Sequence, residues 1–479
     1  MPELTCNRAP TPSRIAPAPE GALTVASRSF PREPRDVPAV DTKHRRIQTQ
    51  IPVPESLEIL DRLQKFEPRS MTGQPPVIWD RAYGVNVFDK WGNMWLDFSS
   101  GVLVTNAGHS HPKVVQAIAD QVEHGLLHNY CFPSEIRSKL VQRIVEISPA
   151  PLEKAFLVTT GAETTECAIK LMRTWGVAQG GREKHVIVSY DNAFHGRTMG
   201  SQMAGGMPAG KSWIINLDKG MVQVPYPDGF RCPDTSFEFF LKSLEAQSIQ
   251  PEQVAGVICE TYQGVNACLA PPEYWQEMRT WADRHNILIT FDEVQAGFGR
   301  TGKLFGFMHF GMTPDIVCCG KGLGDGMPIG AVIGREDVMD QYGPGSMTST
   351  HTGNPVCCAA ALASIDAILE EGMVENAARL GRVMLDALMP LKDKYPQIGI
   401  IQGAGLVAAI QFTHPGTTDA DADLAMDVTQ KCIEKGLMLF APVGVDGCAI
   451  KLNPPLCIDE EALLEGIGVV AESLEEVLG

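Results

Sequence analysis

The sequence predicts an α/β protein: a large domain built on a mainly parallel sheet, with a smaller α+β domain beside it. Three observations carry that prediction. From Val114 onward, amphipathic stretches alternate with short apolar runs. The runs are continuously apolar, as strands buried on both faces are, and the helical stretches between them supply the crossovers a parallel sheet needs. After an apolar helix over 357–369, the pattern changes to helices mixed with one strand-like segment.

Taken in order, residues 1–45 are rich in Pro, Ser and Arg and lack apolar periodicity, which predicts a disordered arm. Residues 77–98 alternate apolar and polar around the turn Asp89-Lys90-Trp91-Gly92-Asn93, the pattern of a meander. The apolar runs 155–159, 185–189, 254–259, 287–291 and 316–319 are the predicted strands of the large sheet. Beyond them come a helix over 374–389, strand-like 405–412, a helix over 422–435 and a last helix from Asp459. The expected division is therefore a small domain from 46–104 and 373–479 around a large domain, 105–372.

A chain of 479 residues, 44% hydrophobic and 20% charged, can bury a sizeable core. Forty Lys and Arg against 57 Asp and Glu give a formal charge of -17, a field that repels nucleic acid and acidic lipid. The thirteen cysteines are scattered, with no CxxC or Cys/His ligand spacing, so they predict neither a metal site nor a disulfide framework but a reducing compartment. No apolar run approaches the roughly twenty residues of a membrane span. Acidic residues in the arm (Glu3, Glu20, Glu33, Asp36) weigh against a mitochondrial transit segment, and the expected location is the cytoplasm.

Chemistry concentrates at strand ends. Thr159-Thr160-Gly161-Ala162-Glu163 follows one apolar run and opens a helix, so it presents backbone N–H groups and the positive end of a dipole, a setting that suits a phosphate. Alone it reads simply as an N-capped helix. Asp292 ends the run 287–291, where α/β sheets place ligands, and a buried carboxylate there calls for a cation such as a protonated ring nitrogen. Lys321, in Cys319-Gly320-Lys321-Gly322-Leu323-Gly324, ends the next run between glycines that allow close backbone approach. A lysine joined to an aldehyde as a Schiff base anchors a cofactor and, once released, is a base. Phosphate loop, strand-end acid and strand-end lysine on successive strands make a combination that none of them makes alone.

Together with Phe194-His195-Gly196-Arg197-Thr198, Gln295, Gly297-Phe298-Gly299-Arg300-Thr301-Gly302, Gly326-Met327-Pro328-Ile329-Gly330 and Thr350-His351-Thr352-Gly353-Asn354-Pro355, these motifs resemble the class III aminotransferases over roughly residue 77 to the C-terminus. The resemblance implies fold type I and pyridoxal 5'-phosphate as cofactor. It implies that Thr160, Gly161 and Ala162 bind the phosphate, Phe194 stacks on the ring, Asp292 pairs with the ring nitrogen, Gln295 approaches the ring hydroxyl and Lys321 carries the Schiff base. His195 falls among the cofactor-binding positions, although nothing requires it as an acid or base. Thr350 resembles a residue that reaches the neighbouring subunit's phosphate, which implies a homodimer or a dimer of dimers.

At the substrate end, Arg197 matches the family arginine that takes a substrate carboxylate, Glu260 resembles a residue near that arginine and is expected to hydrogen-bond it, and Val102, Tyr130, Cys131, Phe132 and Tyr262 line an apolar mouth. Two departures stand out. Where 4-aminobutyrate aminotransferases have Glu in Gln-Gly-Glu-Gly-Gly, this chain reads Gln263-Gly264-Val265-Asn266-Ala267; where they have Arg before the late Pro-Leu, it has Lys451. A lysine meets a carboxylate as a point charge, without the bidentate fork of arginine. The acceptor is thus open between oxoglutarate, pyruvate and other 2-oxo acids. The expected activity is transfer of an amino group from an ω-amino acid or amine, 4-aminobutyrate-like, to a 2-oxo acid. Racemase, decarboxylase or lyase chemistry on the same apparatus is the alternative, and a cofactor-binding scaffold without turnover is a third reading.

Overall fold

A computed structural model describes residues 29–479. Its centre is a seven-stranded sheet in the order Lys154–Val158, Gly330–Gly334, Ile316–Cys319, Leu288–Asp292, Val254–Glu260, Val186–Tyr190, Met221–Val224. All strands run parallel except Gly330–Gly334, which is antiparallel to both its neighbours. Each of the five apolar runs forms a strand of this sheet. Gly330–Gly334 and Met221–Val224 were not legible as strands, because the first is bounded by glycines and the second, at the sheet edge, is buried only at alternate residues.

The uniform apolarity of the runs has the expected cause: all seven residues of Val254–Glu260 and all five of Leu288–Asp292 are buried, with helices on both faces. Helix Gly161–Gly180 lies across one face, contacting the strands 254–260, 316–319 and 330–334. Its Gly176 is required there, since a Cβ would sit 2.3 Å from the Lys184 carbonyl oxygen.

A second sheet holds the meander. Arg81–Tyr83, Asn86–Phe88 and Met94–Asp97 pair antiparallel, and the turn between the last two is closed by Asp89, whose Oδ1 accepts from the N–H of Trp91 and of Asn93, both at 2.9 Å. Leu437–Met438 joins the same sheet parallel to Met94–Asp97, so chain from far downstream completes it. A third sheet, Ile398–Gly403, Ala408–Phe412 and Ala449–Leu452, is antiparallel. The late helices are Met373–Lys394, Ala422–Glu434 and Glu460–Leu478, the last capped by Asp459.

The expectation of a disordered arm to residue 45 needs correction over its described part; residues 1–28 lie outside the described residues. Phe30 is buried, Arg35 bridges Ile51, and Val40–Asp41 pairs with Arg46–Ile47. Arg45 Nε donates to Glu465 Oε1 at 2.6 Å. Backbone pairing and ion pairs attach this segment, neither of which leaves an apolar period to read. Among the described residues no helix is long and apolar enough to cross a membrane, and the twelve cysteines are unpaired.

Candidate active site

The carboxyl ends of the central strands converge, and the predicted residues stand there. Thr160 caps helix Gly161–Gly180 in a reciprocal box: its side chain accepts from the Glu163 N–H, and Glu163 Oε2 accepts from the N–H groups of Thr159 and Thr160. The N–H groups of Gly161 and Ala162, which a first turn leaves without intrahelical partners, can hold a phosphate or carboxylate. Gly161 must be glycine, since a Cβ would lie 2.8 Å from Val294 Cγ1.

Asp292 is 5% exposed. Its Oδ1 accepts from the Val294 N–H at 3.0 Å and its Oδ2 lies 2.8 Å from His195 Nδ1. An ionised carboxylate only accepts, so Nδ1 carries the proton of that bond. His195 is itself buried, and Thr165 Oγ1 donates to its carbonyl at 2.7 Å. His195, grouped from sequence with cofactor-binding positions, braces Asp292, whose remaining capacity can face a cationic ring nitrogen.

Lys321 follows Gly320 at the end of Ile316–Cys319, with φ +43°, a left-handed conformation that costs a non-glycine residue on the order of 1 kcal/mol. Burial lowers its pKa, opposed by the fields of Asp292 and Glu260. A lysine so perturbed is a nucleophile able to take an aldehyde. The glycine after it is fixed by packing: a Cβ on Gly322 would meet Asn106 Nδ2 at 2.4 Å.

Glu260 departs from expectation. It does not bond Arg197; Oε2 accepts from the Phe194 N–H and Oε1 from the Gly264 N–H, both at 2.9 Å. It holds two backbone segments in place of a guanidinium, and burial pushes its carboxyl up to about 7 against the pull of those two N–H groups. Arg197 is exposed, its guanidinium carbon 5.9 Å from the Phe194 ring centre. Val102 is 43% exposed with φ +66°, in a left-handed turn with Ser100, Gly101 and Leu103. That turn is fastened by Ser100 Oγ donating to the Asn453 carbonyl and Asn453 Nδ2 to the Ser99 carbonyl.

Lys451 is 3% exposed. Its Nζ donates to the Gly264 carbonyl at 2.9 Å and to Gln295 Oε1 at 3.0 Å, and sits 5.3 Å from the Tyr262 ring centre. Burial brings its pKa down to about 7. Thr350, Tyr130 and Phe132 are exposed, and among the described residues no hydrogen bond ties Thr350 to the Lys321 surroundings.

One residue was missed. Glu293, fully buried, accepts from Thr261 Oγ1 and from the N–H groups of Gly306 and Phe307 at 2.8 Å, tying the strand end that carries Asp292 to the 300s loop. Burial raises its carboxyl to about 7. The acid pair Asp292-Glu293 at the end of an apolar run was the available signal, since two adjacent buried carboxylates need two sets of partners.

A family model described as aminotransferase class-III matches residues 69–474. The chain is 33% identical over 445 residues, 90% of this chain and 98% of the relative, to the 4-aminobutyrate aminotransferase of Mycobacterium leprae. To the leucine/methionine racemase of Thermococcus litoralis it is 31% identical, over 88% of this chain and 96% of the other. Among solved structures it is similar to an amine transaminase from an uncultivated Pseudomonas species in its pyridoxal-phosphate-bound form, with a TM-score of 0.77 and 26% identity over 83% of this chain and 94% of that one.

Proposed function

This chain belongs to the class-III aminotransferase family, enzymes that use pyridoxal 5'-phosphate, and we propose that it moves an amino group from an ω-amino acid or amine, 4-aminobutyrate-like, to a 2-oxo acid. The observation that carries the proposal is the buried Asp292, braced by His195 Nδ1 at 2.8 Å, on the strand beside the one that leads into Lys321. The residues fit the cofactor chemically: a capped helix N-terminus for its phosphate, a carboxylate for its ring nitrogen and a desolvated amine for its aldehyde. Bound pyridoxal phosphate supplies the aldehyde that takes the substrate nitrogen and the ring that withdraws electrons from the substrate carbon.

In this reading Thr160, Gly161 and Ala162 hold the phosphate, Phe194 covers the ring, Asp292 keeps the ring nitrogen protonated and Gln295 donates to the ring hydroxyl. Lys321 anchors the cofactor and moves the proton at the substrate carbon. Arg197 and Val102 belong to the substrate end, and Lys451 acts there in the manner argued below. Thr350 acts across a homodimer on the partner's phosphate, which its exposure allows. The small domain is 46–104 with 373–479, around the large domain 105–372; the pairing of Leu437–Met438 with Met94–Asp97 supports that division. The proposed compartment is the cytoplasm, with which a dozen unpaired thiols accord.

Similarity to a leucine/methionine racemase favours one second reading, proton transfer on an α-amino acid without loss of its nitrogen. A spectrophotometric titration of the holoenzyme separates the two. Conversion of the cofactor absorbance by 4-aminobutyrate or another ω-amine, reversed by pyruvate or oxoglutarate, supports transamination. A response to α-amino acids alone, with inverted amino acid and no 2-oxo acid formed, replaces it with racemisation.

A further inference from the structure

We propose that Lys451 is a positioning residue that sets the orientation of the Gln295 amide, and that it is not a receptor for a substrate carboxylate. The proposal rests on the reading of the site given above. An ammonium has three protons and no lone pair. At Lys451 two of them go to the Gly264 carbonyl and to Gln295 Oε1, and the Tyr262 ring lies over the third side. With Lys451 only 3% exposed, a carboxylate could bind only by displacing one of these partners. Among the described residues no carboxylate forms an ion pair with Lys451.

The amide consequence is geometric. Because Nζ donates, Gln295 must turn Oε1 toward it, and Nε2 is then committed to the other direction as a donor. Gly264 makes room for that arrangement: a Cβ there would lie 2.5 Å from Gln295 Nε2. The backbone of Lys451 is fixed by pairing with Ala409 in the three-stranded sheet, while Gly264 and Gln295 follow strands Val254–Glu260 and Leu288–Asp292 of the large sheet. Lys451 therefore joins the two sheets through the amide it orients.

Burial is the main influence on its proton, and it brings the pKa down to about 7 against the field of Glu260, which favours the proton, and together with the fields of Lys321 and Arg300, which oppose it. As pH rises through that value the ammonium becomes an amine that can also accept, and the amide is no longer held in one orientation.

The test uses the holoenzyme, comparing wild type with Lys451→Met, Lys451→Arg and Gly264→Ala. Methionine fills the buried volume without a charge, so the fold is expected to persist, checked by thermal melting. The expected result for Lys451→Met is a shift of about one unit in the pH midpoint of the cofactor absorbance and a fall of about tenfold in kcat, with KM for pyruvate and oxoglutarate changed by less than about threefold. Gly264→Ala, which keeps the ammonium but crowds both the amide and Glu260 Oε1, each 2.5 Å from the added Cβ, is expected to move the same absorbance profile. The proposal is overturned if Lys451→Met raises KM for a 2-oxo acid about tenfold or more with the absorbance profile unmoved, or if Gly264→Ala leaves the profile unmoved. A Schiff-base absorbance that survives Lys321→Ala overturns the reading of the whole site.

Discussion

Two ends of one site handle buried charge in opposite ways. Asp292, at one end, is met by His195 Nδ1 and by the Val294 N–H, so its charge is shared with a titratable partner and a backbone donor. Lys451, at the other, is buried as deeply but rests on a carbonyl, an amide oxygen and a ring. Desolvation, with no carboxylate in contact and only the field of Glu260 to oppose it, brings it to the edge of neutrality. The difference teaches where the site is rigid. The carboxylate is held in place by fixed donors, whereas a lysine near pKa 7 changes state within the neutral range.

The largest expected effect breaks the acid end's purpose. Lys321→Ala should lower turnover on the order of 10⁴-fold and remove the Schiff-base absorbance with the fold intact, measured by single-turnover kinetics and circular dichroism; retained activity refutes the assignment. Asp292→Asn keeps the size but removes the charge that His195 braces. A loss of about 10²- to 10³-fold in kcat is expected, and a variant within twofold of wild type shows that the carboxylate charge does not matter.

Glu293→Ala sharpens the comparison from the structural side. It strands the buried N–H groups of Gly306 and Phe307, at a cost of about 2–4 kcal/mol read by denaturant unfolding. A smaller loss than about 1 kcal/mol means the 300s loop is held by other contacts.

The smallest effect per step is a pH dependence with opposite signs, read one pH unit at a time. Lys451 has a native pKa of about 7 against 10.5 unfolded, so between these values the unfolded chain binds more protons and stability rises with pH. Glu293 has a native pKa of about 7 against 4.5 unfolded, so over that interval the native chain binds more protons and stability falls as pH rises. Wild type minus Lys451→Met stability should therefore climb by up to about 1.4 kcal/mol per pH unit above 7. A flat difference shows that Lys451 keeps its proton. The corresponding difference for Glu293→Gln should decline between about pH 5 and 7.

Local physics made part of this protein readable. Asp292 and Lys321 were found because each closes an apolar run, and a run buried on both faces is a strand whose end is fixed by the residues themselves. Thr160 and Glu163 were legible as a cap because capping is settled within four residues. The Asp89 turn is of the same kind.

What the tertiary structure alone decided is which distant residues meet. His195 lies 97 positions from the Asp292 it braces, and Lys451 lies 156 from Gln295. Glu260 was expected on Arg197 and spends its oxygens on backbone N–H groups, an outcome set by how two loops pack. Residues 29–45 looked unstructured because their attachment is made by backbone pairing and by Glu465, far along the chain. The sequence by itself determined the sheet of buried strands, the phosphate-type helix start, and the acid and lysine at strand ends, because periodicity and capping act between near neighbours. The ionisation of Lys451, Glu260 and Glu293 was decided only by folding, because desolvation depends on everything that surrounds a group and on nothing written beside it.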